Sequence, residues 1–370
     1  MKLQDRLMCV RGAMRQAGLD LLVAASSGFH MIDKPNPVDW LSGFKSLGPS
    51  LVLVFNSGDL ELIATPAADA DRLEAERSGV VGLATDDLVG ALRAALASRS
   101  LKNVGCIGMG AMPHRLAGAL GETLGAGVID VDDRIFAAAG AKTDDEIEHA
   151  RAATAIAESG YALMRELARP GLRECDLAVA LNLHMREQGA DDSFLLLNAG
   201  PRSEAVAPSS ERAIEAGDLI LVELSPSVKG QFVQICRTLC VGPAPPLTRA
   251  KYELLAAAMG EGLAIVRPGV RMAQVCQAIN DRLSREGYAA YSQPPFIRRR
   301  GHGLGAGSIL PGDVALDNDC VLEPGMLFMV HPNQFLPETG YMMCGEPVLV
   351  LADGAEVLTR RMAQLDEIAI

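Results

Sequence analysis

Arg169-Pro-Gly-Leu-Arg173 returns as Arg267-Pro-Gly-Val-Arg271, 98 residues further on. Each copy stands between two long stretches in which apolar residues recur at helical spacing, and the second stretch of each pair stops at an equivalent glycine, Gly189 or Gly287. Proline and glycine end the first helix and turn the chain into the second. Two matched helix–turn–helix halves predict a pseudo-symmetric domain. Strand-like runs accompany them: SFLLLNAG (193–200), DLILVELSP (218–226) and QFVQICRTLCV (231–241). Lys229-Gly230 is a turn between the last two, which read as an antiparallel hairpin.

Upstream of the repeat, Thr143 precedes Asp144-Asp145-Glu146. This is a capping box, in which the Thr hydroxyl and the Glu carboxylate satisfy the free amides of a new helix. That helix is predicted to run to about residue 168 and to open the second domain, so the division expected is 1–140 and 141–370. The first part alternates short apolar runs, DLLVAA (20–25), SLVLVF (50–55), LELIAT (60–65) and NVGCIG (103–108), with helical stretches at 67–77, 86–98 and 111–124. That alternation is α/β. It contains no phosphate loop and no GxGxxG, and its histidines, His30 and His114, are isolated.

Composition narrows the function. Of 370 residues 49% are hydrophobic and 22% charged, which is globular. A net charge of −12 argues against nucleic-acid and anionic-membrane partners. No apolar run reaches the ~20 residues of a membrane span. The start, MKLQDRLMCV, has no secretory core, and a cytoplasmic location is expected. The eight cysteines form no CxxC pair and are read as reduced thiols, with Cys236 and Cys240 packing on one strand face.

Several segments together resemble the creatinase / prolidase / aminopeptidase P family. Gly217 to Thr238 looks like that family's strand hairpin, and Gly301-His-Gly-Leu-Gly305 like its histidine loop. Leu322-Glu-Pro-Gly-Met326 to His331-Pro332, then Gly345-Glu-Pro-Val-Leu-Val350 and Asp353-Gly354, look like its closing strands. Asp39 to Phe44 and Lys142 to Ile147 resemble motifs of the first domain and of the start of the helix between domains. The resemblance covers almost the whole chain. It implies a small ribonuclease-H-like α/β domain followed by an α+β pita-bread domain, and a homodimer in which one subunit's first domain caps the partner's site.

The same resemblance implies a ligand set that this chain has largely lost. In the family's metallopeptidases two Asp, one His and two Glu hold two divalent ions. Carried over by position, these fall on Glu223, Gln234, His302, His331 and Gly345. Four negative charges become one, beside two imidazoles, an amide and a bare backbone. Two buried dications need carboxylates to neutralise them, so no metal pair is expected. Glu346 is one position off, and a one-residue slip in a strand points to the other face. Two further histidines of the peptidases match Val206 and a position near Ile309, and neither is present.

The expected site is therefore Glu223, His302 and His331 as catalytic residues, without a cofactor. The histidines serve as base and acid in turn, and Glu223 orients one imidazole. Gln234 and Arg237 would hold polar substrate atoms. Arg300, last of the run Arg298-Arg299-Arg300, would fork onto a substrate carboxylate. Gly301, Gly303 and Gly305 leave the His302 loop bare for close ligand approach. Glu346 would lie near, and Tyr341 and Trp40 would wall the pocket, Trp40 across the dimer. His149 and His184 read as exposed helix positions, and Met342, Met343 and Cys344 as strand packing. The function expected is creatinase-like, metal-independent hydrolysis of a small-molecule C–N bond of amide, amidine or urea type. Two alternatives stand beside it: a single-metal (Zn, Fe or Mn) Xaa-Pro-peptidase-like enzyme using Glu223, His302 and His331, or a lyase on the same site; and a non-catalytic binding module.

Overall fold

The computed structural model describes residues 2–26, 36–76, 80–138, 140–308 and 310–370. His30 and Ile309 lie outside the described residues. The chain divides into two units, Met1–Thr143 and Asp144–Ile370.

The first unit runs α1 (Lys2–Ala17), β1 (Leu21–Ser26), α2 (Pro37–Ser42), β2 (Ser50–Phe55), β3 (Leu60–Ala64), α3 (Ala70–Glu76), β4 (Val81–Ala84), α4 (Leu88–Leu96), β5 (Val104–Ile107), α5 (His114–Leu124), β6 (Val128–Asp130) and α6 (Asp132–Ala138). Its strands form one mixed sheet in the order β4-β3-β2-β1-β5-β6. All six residues of β2 are buried, as a strand covered on both faces requires. The apolar runs of the sequence supply β1, β2, β3 and β5. The outer strands β4 and β6 are short and partly exposed, which is why no apolar run marks them.

The second unit opens with α7 (Asp144–Leu167) and α8 (Glu174–Glu187), followed by β7 (Asp192–Gly200), β8 (Leu219–Val228), β9 (Gln231–Phe232) and β10 (Ile235–Val241). The second half has α9 (Pro246–Ala264), α10 (Met272–Arg285), β11 (Gly301–Gly303), β12 (Leu327–Val330), β13 (Gln334–Leu336), β14 (Gly340–Met342), β15 (Glu346–Leu351), β16 (Gly354–Val357) and β17 (Asp366–Ile368). One sheet has the order β17-β10-β8-β7 and a second the order β11-β12-β15-β16. Isolated bridges Phe232–Gly305 and Cys236–Gly345 stitch the two together.

The pseudo-symmetry is visible bond by bond. Gly171 and Gly269 both sit at φ 87, where only glycine is unstrained. The Gly171 amide donates to Ile214 O and the Gly269 amide to Leu322 O, at 2.8 and 2.9 Å. Arg173 bridges Ala213 and Arg271 bridges Val321 in the same antiparallel sense. Each helix–turn–helix is thus anchored at its turn by an equivalent extended segment. Lys229 and Gly230 have φ 51 and 74, the two positive values of a tight primed turn, and Val228 pairs with Gln231 across it. Among the described residues no helix is long and apolar enough to cross a membrane.

Candidate active site

In the first sheet of the second unit, β8 and β10 place Glu223 directly opposite Cys236. Gln234, two residues before Cys236, shares that face because side chains alternate along a strand. The Gln234 amide nitrogen donates to Glu223 Oε2 at 3.1 Å, and Cys236 Sγ lies 3.9 Å from the other carboxylate oxygen. Burial pushes the Glu223 carboxyl up to about 7, against the opposing pull of Arg299, Cys236 and Gln234.

His302 comes from the second sheet. It pairs with Met329 across β11 and β12, and the His331 amide donates to Arg300 O at 2.9 Å, which carries the register one pair further. Arg300, His302 and His331 therefore project from one face. The two imidazoles meet edge to face with centroids 5.3 Å apart, and Phe232 stacks on His302 at 6.3 Å. His302 Nε2 lies 2.8 Å from Gln234 Oε1 and its Nδ1 lies 2.9 Å from Gly303 O, so both ring nitrogens face oxygen acceptors. Gln234 is the link of a chain, carboxylate to amide to imidazole. His331 is buried, and its Nδ1 has no partner among the described residues. Burial, then His302, Arg299 and Arg300, hold its pKa well below the ordinary imidazole value. Tyr341, on β14, is close enough for Glu223 to raise its phenol further, after burial.

Other expected members stand elsewhere. Arg237 and Glu346 face away from this group and bond to each other at 3.2 Å. Arg237 also donates to the carbonyls of Cys236, Gly345 and Arg361, and Glu346 accepts from Thr359 Oγ1 and the Ala363 amide at 2.6 Å each. With those bonds made, the pair is a closed buried ion pair rather than a substrate contact. Trp40 is buried within the first unit, 5.8 Å from the Phe136 ring, and is core there instead of a pocket wall. Gly301 and Gly303 are not bare for a ligand: a Cβ would meet Met329 O at 1.8 Å and Leu310 O at 2.1 Å, so the backbone itself demands glycine. Of the three arginines only Arg300 is buried; Arg298 and Arg299 are exposed, and Arg299 pairs with Asp313. His184 is half-buried on α8, with Nε2 3.0 Å from Ser159 Oγ. Cys236, Asn333 and Asn280 belong near the site and carried no motif that could announce them.

Compared with known proteins, residues 148–352 match the family described as metallopeptidase family M24. The chain is 28% identical over 227 residues to the uncharacterized peptidase YqhT of Bacillus subtilis, a match spanning 60% of this chain and 63% of that one. It is 29% identical over 217 residues to the probable dipeptidase PepE of Mycobacterium tuberculosis, spanning 58% and 57%. The chain thus spans less than two thirds of the length of these curated relatives. In fold it is similar to the Xaa-Pro dipeptidase from Bacillus anthracis, with a TM-score of 0.86 at 22% identity, covering 99% of this chain and 100% of that one.

The match to a metallopeptidase family overturns the expectation of a chain without a cofactor and points to metal use. The residues do not fit a pair of ions, however. Gln234 is committed to Glu223 and His302, and a Cβ at Gly345 would meet Met329 Cε at 2.4 Å and His331 Cβ at 2.7 Å, leaving no room for a carboxylate. Among the described residues no three His, Cys, Asp or Glu side chains are already converged on a point that would hold an ion. The donor types suited to one ion are Glu223, His302 and His331, and of these His331 Nδ1 is the unpartnered one.

Proposed function

Since the chain belongs to metallopeptidase family M24, we propose that it hydrolyses an amide-type C–N bond in a small molecule, at a site in its second unit built on Glu223, Gln234, His302 and His331. The single observation that carries this is the buried, unpartnered Nδ1 of His331 beside the Glu223–Gln234–His302 chain. A buried polar atom without a partner calls for an explanation, and beside ionisable side chains a bound group supplies one.

Glu223, His302 and His331 would hold one divalent ion, His302 by turning Nε2 from Gln234. Such an ion supplies a polarised carbonyl and a water acidic enough to attack near neutral pH. Glu223 contributes the negative charge that a dication needs. Gln234, freed on one side, offers an amide that can accept from or donate to the scissile group. Phe232 covers one face of His302 and keeps water from it. Cysteines that form no disulfide among the described residues suit a reducing, cytoplasmic compartment, and a homodimer is part of the same reading.

The test is metal content by elemental analysis after purification, followed by a dipeptide panel assayed with Mn, Zn or Co. One ion per chain, turnover dependent on it, and loss of both in His331→Ala are expected. Two ions per chain would refute the single-ion reading. A loaded protein that cleaves no amide in the panel would refute hydrolysis.

A further inference from the structure

We infer that Arg300 is an anion socket that takes the carboxylate of a small-molecule ligand, with Asn333 receiving an N–H of the same ligand. This rests on the reading that His302 and His331 belong to the reacting site, because it places the ligand beside them.

Arg237 and Arg300 are both buried, at 2% and 1% exposure. Arg237 has a carboxylate against it, that of Glu346. Arg300 has none among the described residues: Nε donates to Asn280 Oδ1 at 2.7 Å, Nη1 donates to Asn333 O at 3.2 Å, and Nη2 has no partner. Arginine is almost never fully buried unless paired. It cannot shed its charge, and two neutral oxygens do not neutralise it. No described residue supplies the missing counter-charge, and a ligand would. A planar guanidinium with a free edge matches a carboxylate in particular.

A second orphan lies on the same stretch. Asn333 Oδ1 is buried without a donor among the described residues, and the same residue's backbone oxygen already grips Arg300. One leftover cationic donor and one leftover acceptor describe a ligand with a carboxylate and an N–H. The location ties this socket to the chemistry. Arg300 stands opposite His331, whose amide bonds its carbonyl, and two residues before His302 on the same face. A carboxylate held there lies within a few bonds of any group held by the two histidines, so the ligand is small and its charge sits close to the reacting bond.

The probes are N-acetylglycine and its neutral analogue N-acetylglycinamide, read by thermal unfolding at constant ionic strength set with sodium chloride. N-acetylglycine should raise the melting temperature with increasing concentration, and the amide should need at least tenfold more for the same shift. Arg300→Met should abolish the difference, whereas Arg299→Met, which removes a nearby exposed charge, should retain it. Asn280→Asp guards against a variant that fails to fold. It sets a carboxylate against Arg300 Nε, so it should raise the melting temperature without ligand and weaken N-acetylglycine at least tenfold. Equal shifts from acid and amide, or an acid shift that survives both Arg300→Met and Asn280→Asp, would overturn the socket and leave hydrolysis standing. Binding through Arg300 in a protein that cleaves no amide supports the socket and counts against hydrolysis.

Discussion

A Cβ on Gly345 would lie 2.7 Å from the Cβ of His331, closer than two such atoms ever pack. In this chain the His331 side chain occupies the space a side chain at 345 would need, so a carboxylate cannot be restored at 345 without moving it. Gly345→Ala should therefore destabilise the protein by about 1–3 kcal/mol through overpacking. In a His331→Gly background that cost should fall, giving a coupling beyond about 0.5 kcal/mol in a denaturant double-mutant cycle. Strict additivity would show that the sheet absorbs the methyl elsewhere.

Gln234→Glu sets a second carboxylate beside Glu223 without changing size. Two adjacent carboxylates repel when no cation is present and attract one when it is. The variant should be less stable in chelator, and its Mn affinity by titration calorimetry should rise at least tenfold. Unchanged affinity would mean that ions bind elsewhere.

The Arg237–Glu346 pair invites a different cycle. Removing one partner, as in Glu346→Leu, leaves a buried charge bare and should cost about 3–5 kcal/mol in urea unfolding. Arg237→Met combined with Glu346→Leu should recover most of that loss. A double variant as unstable as the single would show that the bonds to Thr359 and the Ala363 amide matter more than the charge pair.

Acidity gives a signed expectation. The Glu223 carboxyl is raised from 4.5 to about 7 in the folded protein, so the folded state holds that proton more tightly than the unfolded chain does. Its contribution is complete below pH ~4.5 and is lost as pH rises through about 7, by at most about 3 kcal/mol. His331, held well below 6.5, acts in the opposite sense: its contribution is present above pH ~6.5 and is lost as pH falls through its depressed folded value. The comparison is therefore wild type against Glu223→Gln. Wild type should lose stability relative to Glu223→Gln as pH is raised from ~4.5 to ~7 in urea titrations; a constant difference would place Glu223 in water.

Much of the second unit was legible because its signals are local. The repeated Arg-Pro-Gly turns needed glycine at positive φ, and Lys229-Gly230 needed two such residues in a row. The site was harder to read. Glu223 and Gln234 share a face by simple alternation, but that Arg237 and Glu346 meet on the opposite face depends on the Cys236–Gly345 bridge, which joins distant segments. Nothing in three consecutive arginines says that Arg300 alone turns inward, since its holder Asn280 lies on a helix 20 residues earlier. Gly301 and Gly303 read in sequence as glycines for ligand access, yet they answer to the Met329 and Leu310 backbones. The expectation of no cofactor came from counting lost charges, which argues against two ions and says little about one; the family match corrects it.

The edge of β10 is covered by β17, in parallel register from Leu239–Asp366 to Val241–Ile368. During synthesis on the ribosome, β10 and its neighbours are complete long before residues 366–368 emerge. Until then β10 presents an open row of amides and carbonyls to other nascent chains, the kind of edge that invites wrong pairing. Chaperone dependence in this protein should therefore be set late in translation, and truncations that remove only the β17 segment should aggregate even though every residue of the site is present.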